Sequence, residues 1–289
     1  MKVDTSQAAL RLSMALSCAT FGTLGIFVQY LPGVPSAAIV MFRAIIGALF
    51  VGGMMLFTRR TPGKAAVRRN LPLLLCSGAA LASNWTCLFE AYRHTTVAVA
   101  SLCYYMAPVF LMLLSPVVLK EPMTKRKAAC IVIAVIGAVL VSGSAAGGSL
   151  RGVVMGLLAA VFYCSVMLMS KKLSGLSPME TTLIQLGVAA IVITPYVFLT
   201  GQFTGVTAGA LPLLIVLGAV HTGLAFTLFF AAVNGLPAQT TAVMSYIDPI
   251  VAILLSALFL HQPLSGPQVL GAILLLGGTF VSEFKQGGT

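Results

Sequence analysis

Ten apolar runs constrain this chain more than any other feature. They fall near residues 9–29, 36–57, 72–91, 97–119, 128–143, 150–170, 180–200, 208–231, 238–259 and 265–283, bounded by Pro, Gly or charge. About 20 apolar residues in a helix cross ~30 Å of hydrocarbon with every backbone group bonded internally. The runs therefore predict ten transmembrane helices. Composition agrees: at 59% hydrophobic, 8% charged and a mean hydropathy of +1.04, the chain lacks the polar surface to cover a core in water. Only Lys2, Asp4 and a few polar residues precede the first run, and no small-residue cleavage site competes with continuation, so it reads as a retained span.

A net charge of +11 would suit nucleic acid, but where the basic residues fall matters more than their sum. With the N-terminus in the cytoplasm, fourteen of the seventeen Lys and Arg are cytoplasmic; Arg93 and Arg151 lie outside, and Arg43 lies within a span. That is the positive-inside pattern, with both termini cytoplasmic in a multi-pass cell (inner) membrane protein. The expected surroundings are the lipid bilayer, and no nucleic-acid partner is expected.

The passage from Tyr105 to Pro122, YMAPVFLMLLSPVVLKEP, returns 141 residues later as YIDPIVAILLSALFLHQP, with seven of eighteen positions identical. The same offset aligns Leu16 with Leu157, Ala19 with Ala160, Phe21 with Phe162 and Ser36 with Ser177. The chain thus reads as two five-helix units, residues 1–143 and 144–289. Because five is odd, the second unit enters from the opposite side, giving an inverted repeat. The loops agree: RRTPGKAAVRR is matched by the uncharged TGQFTGVTAG, and KEPMTKRK by HQPLSGPQ. Inverted repeats are a feature of secondary transporters, whose substrate sits near the midplane between the units.

In these features the chain resembles the EamA-like branch of the drug/metabolite transporter superfamily over essentially its full length. The FRA stretch (Phe42, Arg43, Ala44) and the pattern Pro108, Glu121, Pro122, Thr124, repeated as Pro249, Gln262, Pro263, Ser265, carry the likeness. The resemblance implies an all-α integral membrane exporter of small metabolites such as amino acids, with a central cavity lined mainly by helices 1, 3, 4, 6, 8 and 9. Gln262 stands where such proteins often keep Glu, which suggests that Glu121 serves the cytoplasmic loop. Asp248 before Pro249 is a second departure.

Candidate site residues follow from position. Pro108 and Pro249, near the centres of the fourth and ninth helices, each remove a backbone donor and free the carbonyl four residues back, on Tyr104 and Ser245. They read as hinges. Asn84 and His221 occupy related faces, since the offset maps Ala80 onto His221 and Asn84 onto Ala225, one turn apart. Trp85, Tyr104, Tyr105, Tyr163, Phe226 and Tyr246 supply the aromatic remainder of a shared cleft. Asp248, whose repeat mate is Ala107, is the acidic residue deepest in a span. Three roles stand open for it: proton coupling with His221 as partner, binding a substrate amino group, or a structural hydrogen bond. Arg43 is expected to snorkel outward as a structural anchor, with substrate binding as the alternative. Glu90 and Arg93 are expected to pair at the outer interface, and Glu180 and Glu283 to be exposed at span ends.

The expected function is secondary active export of amino acids or related zwitterionic or neutral solutes by alternating access; a channel or lipid flippase using the same cleft is the alternative. An enzyme is not expected, for the chain has no HExxH, GxGD or pair of intramembrane Asp residues. No Walker sequence provides for ATP, no cofactor is called for, and the six cysteines have no CxxC or metal-ligand spacing. Small residues at Ala134/Ala138 and Gly278/Ser282 suit close helix packing, in a monomer or weak homodimer.

Overall fold

The computed structural model describes residues 2–59, 63–120, 123–143, 149–203, 205–236, 240–241, 244–245, 247–261 and 265–283. Among the described residues the regular structure is entirely helical. Seven segments are long and apolar enough to cross a membrane: Gln7–Gln29, Ser36–Phe57, Lys64–His94, Val97–Leu114, Leu150–Lys172, Pro178–Leu199 and Ala208–Gly235. The protein is a multi-pass membrane protein.

The first span joins α1 (Lys2–Gly22) and α2 (Leu24–Gln29) at Thr23; α3 (Ser36–Phe57) and α4 (Lys64–His94) follow. The fourth joins α5 (Val97–Tyr104) and α6 (Ala107–Val118), and α7 (Lys125–Gly143) comes next. After α8 (Leu150–Lys172) and α9 (Pro178–Leu199), the span Ala208–Gly235 contains α10 (Leu211–Gly218), a π-helical turn (Ala219–Leu224) and α11 (Ala225–Gly235). The last helices are α12 (Ile247–Phe259) and α13 (Gly266–Glu283).

Packing repeats under the 141-residue offset. Helix α3 packs on α9 and α7 on α13, each pair being repeat mates, and α5 packs on α12, the repeat mate of α6. The contact of α4 with α8 is matched by that of α11 with α1, and the contact of α4 with α9 by that of the π turn and α10 with α3. Close approach depends on glycine where the cavity is formed: a Cβ on Gly22 would lie 2.5 Å from the Asp248 carbonyl oxygen. The small-residue positions Ala134/Ala138 and Gly278/Ser282 belong to α7 and α13, which pack on each other within one chain.

Three local expectations change. The prolines do not kink continuous helices: the fourth span turns at Tyr105–Met106, making Pro108 the second residue of α6, and Pro249 is the third residue of α12. In the first turn of a helix the missing proline N–H costs nothing. The Ser245 carbonyl, expected to be freed, accepts the Asp248 N–H at 3.3 Å. Arg93 does not pair with Glu90; it donates to Ser36 Oγ at 2.7 Å and to the Val34 carbonyl, while Glu90 faces His94 at 3.6 Å and Arg151 at 3.9 Å. Glu180 is buried, because Ser177 begins α9 in a capping box: Ser177 Oγ accepts the Glu180 N–H, and Glu180 Oε2 accepts that of Ser177 at 2.6 Å. Its other oxygen accepts the Gly63 N–H at 2.7 Å, tying the entry of α4 to that of α9. Glu121, Pro122, Gln262 and Pro263 lie outside the described residues.

Candidate functional site

The chain's polar and aromatic residues converge on one cavity between the two halves. From the first half it is lined by Phe21 of α1, Leu24 of α2, Arg43 of α3, Trp85, Leu88 and Tyr92 of α4, and Tyr104 and Tyr105 at the break of the fourth span. The second half supplies Tyr163 of α8, Phe226 of α11 and Asp248 of α12. Free space inside is about 20 Å³, little more than the roughly 10–15 Å³ that one water requires.

Aromatic rings make most of the wall. Tyr104 stacks on Tyr163 at 5.1 Å and meets Tyr105 edge-on at 5.3 Å; Trp85 meets its repeat mate Phe226 edge-on at 5.3 Å, and Phe21 lies 4.9 Å from Phe226. Edge and offset geometries of this kind are the arrangements aromatic pairs prefer. The two charged side chains come from different halves. Asp248 shares a hydrogen bond with the Tyr105 hydroxyl. Arg43, 1% exposed, does not snorkel. Its guanidinium carbon lies 4.4 Å from the Trp85 ring centre and 5.2 Å from that of Phe89, and Nε donates to Thr222 Oγ1 at 3.0 Å.

The π turn places Thr222. Its hydroxyl donates to the Leu217 carbonyl five residues back at 2.7 Å, so the oxygen lone pairs are left for Arg43. The same turn redirects His221, whose Nε2 lies 2.7 Å from Thr23 Oγ1 at the break between α1 and α2 and whose ring packs on Phe27 at 4.6 Å. The structure therefore pairs His221 with Thr23, not with Asp248. The expectation assumed 3.6 residues per turn through this helix, and a π turn is wider. Asn84 is likewise off the cavity wall: fully buried, it donates Nδ2 to the Ala159 carbonyl of α8 at 2.7 Å.

Of the expected site residues, Trp85, Tyr104, Tyr105, Tyr163, Phe226 and Asp248 thus line one cavity, and Tyr246 lies outside the described residues. Sequence reasoning did not single out Tyr92 and Thr222, and it ranked Arg43 as an anchor ahead of a binding group. For Arg43 a signal existed in its depth within the second span; for Thr222 none did without the π turn. No group of three or more His, Cys, Asp or Glu among the described residues is arranged to hold a metal.

The family sequence pattern of EamA-like transporters matches residues 11–143 and again 150–284, one match on each side of this cavity. The chain belongs to the EamA-like transporter family. It is 28% identical to the uncharacterized transporter YxxF of Bacillus subtilis (strain 168) over 282 residues, 96% of this chain and 90% of that one. It is 30% identical to the pseudopaline exporter CntI of Pseudomonas aeruginosa over 176 residues, 60% of each chain. A protein of known crystal structure shares the fold with a TM-score of 0.72 at 18% identity, over 95% of this chain and 96% of that one.

Proposed function

We propose that this EamA-like transporter is a secondary active exporter of small zwitterionic or neutral metabolites, amino acids foremost, working by alternating access. The observation that carries the proposal is the cavity itself. It lies where the halves meet, and its wall draws on both, with Arg43 from one and Asp248 from the other. In this scheme ten helices form two inverted repeats, residues 1–143 and 144–289, with both termini in the cytoplasm of the cell membrane. The self-matching pairs α3–α9 and α7–α13 support that symmetry. One half rocks against the other, and the breaks before Pro108 and Pro249 let the helix ends swing while the site stays at the midplane.

A half-buried acid facing a solute within the membrane is also suited to take up and release a proton, and Asp248 is the residue for such coupling. The test is counterflow in liposomes with the purified chain, screening amino acids, nucleosides and sugars. Saturable exchange that is accelerated by unlabelled solute on the far side supports a carrier. Non-saturating flux would mark a channel, and movement of labelled lipid between leaflets without solute exchange would mark a flippase; either defeats the proposal.

A further inference from the structure

We propose that Arg43 is the carboxylate-binding residue of the cavity, so that the site selects solutes by an anionic carboxylate as well as by size and aromatic contact. This rests on the reading of the cavity as a solute site. The guanidinium has five donors in a planar fork and keeps its proton in proteins. Only the Nε–H finds a hydrogen-bond partner among the described residues, in Thr222 Oγ1, and Nη1 is buried with none. No carboxylate among the described residues forms an ion pair with Arg43. The charge is held by the faces of Trp85 and Phe89, which attract a cation without using its N–H groups. An ionised group left this way is costly unless its missing partner arrives from outside the chain.

The arrangement also fixes which edge of the fork is available. Thr222 spends its own proton on the Leu217 carbonyl, so it acts only as an acceptor toward Nε and holds the guanidinium in one plane. Arg43 lines the cavity with Nη1 left without a partner among the described residues, an arrangement suited to a planar two-oxygen anion of the kind that pairs with Arg in bidentate fashion. Asp248 on the opposite half leaves the two charged side chains of the wall balanced. A carboxylate that also carries an amine fits that balance; a phosphate, with a higher charge and one cation to meet it, does not. Thr222 is a positioning residue here, acting through Arg43.

Binding is measured apart from transport, so that the two readings fail separately. The probes are the proteinogenic amino acids and, for each, the corresponding amino acid amide, scored by thermal stabilisation of the detergent-purified full chain. At least one acid should stabilise the wild type, with its amide binding ten-fold or more weakly. Arg43→Gln should remove the preference by weakening the acid at least ten-fold while leaving the amide within two-fold, and Arg43→Lys should restore part of it. Thr222→Val should weaken the acid three- to ten-fold without moving the amide, and Thr222→Ser should rescue it. Amides that bind as well as acids, an Arg43→Gln protein that keeps the preference, or a Thr222→Val protein that loses acid and amide equally overturns the assignment. An acid that binds with this selectivity yet shows no counterflow leaves the assignment standing and defeats the transport proposal instead.

Discussion

Helix α4 and the span Ala208–Gly235 occupy equivalent places in the repeat, yet they are built differently. The first is one α-helix of 31 residues; the second changes winding, with the π turn between α10 and α11. Their aromatic residues stay matched, Trp85 with Phe226 and Phe89 with Phe230, and Trp85 touches Phe226 across the cavity. Their polar residues do not match: Ala80 and Leu81 stand where the second copy has His221 and Thr222. The charged wall residues behave the same way, Asp248 standing opposite Ala107 and Arg43 opposite Ile184 in the repeat register. Duplication preserves the packing, and divergence supplies the chemistry. On the proposed reading, an alternating-access scaffold gains from two halves of similar energy, whereas a small solute has two different ends and needs different groups at each.

The sharpest way to break the comparison is to ask whether equivalent positions face opposite sides. Lys125 and Gly266 are repeat mates, exposed, and the first residues of α7 and α13. In a cysteine-free background, Lys125→Cys should be shielded from an impermeant thiol reagent outside intact cells, and Gly266→Cys should react. The expected difference is all or none. Labelling of both from one side would remove the inversion and with it the proposed mechanism.

Next in size is the exchange of unmatched residues. Asp248→Asn keeps shape while removing the carboxylate, and Ala107→Asp puts a carboxylate in the mate position. If Asp248 binds an amine, Asp248→Asn should cut both counterflow and gradient-driven transport at least ten-fold, about 1.4 kcal/mol. If it couples protons, gradient-driven transport should fall by that factor while counterflow survives. Ala107→Asp should rescue neither, since position 107 lies on the other half and outside the cavity lining. Unchanged transport in Asp248→Asn would leave the residue only its hydrogen bond with Tyr105.

What the sequence disclosed divides along the same line. Apolar runs, basic loops and the 141-residue offset are legible because hydrophobic length and charge act without reference to a partner helix. Trp85, Tyr104, Tyr163 and Asp248 were findable because they stand out against apolar spans. Arg43 was misjudged because a long side chain can reach water or fold inward, and the choice is made by Trp85 and Thr222, 42 and 179 residues away. His221 was misjudged because no residue pattern announced a π turn. Glu90 and Arg93 suit pairing within a helix, but the start of α3 competes for Arg93 through Ser36 and the Val34 carbonyl. Glu180 is a milder case, since Ser177 and Glu180 spell a capping box that predicts a role at the helix start.

A smaller effect is expected at the matched prolines. Each begins the second segment of its span, so replacing it lets the helix close across the break. Pro108→Ala and Pro249→Ala should leave folding and membrane targeting intact and slow exchange by about two- to five-fold, as hinge changes do. The two variants should resemble each other, because these positions are matched in both sequence and location. A strong effect at one and none at the other would assign the hinge to a single half.

The smallest expected effect separates ring from hydroxyl at the position where the halves differ most in size. Tyr163 is the repeat mate of Gly22: in the first copy the missing side chain admits the Asp248 backbone, and in the second the ring fills the wall. Tyr163 stacks on Tyr104 at 5.1 Å and lies 6.1 Å from Phe229, and its hydroxyl makes no hydrogen bond among the described residues. Its contribution is then that of a ring. Tyr163→Phe should keep the KM for exchange within about two-fold, since stacking survives, whereas Tyr163→Ala should raise it about three- to ten-fold, the scale of a lost aromatic pair of roughly 0.5–1.5 kcal/mol. A large change in Tyr163→Phe would mean that the hydroxyl meets the solute directly, adding a third polar contact to the wall and making this half more than an aromatic backing for Asp248.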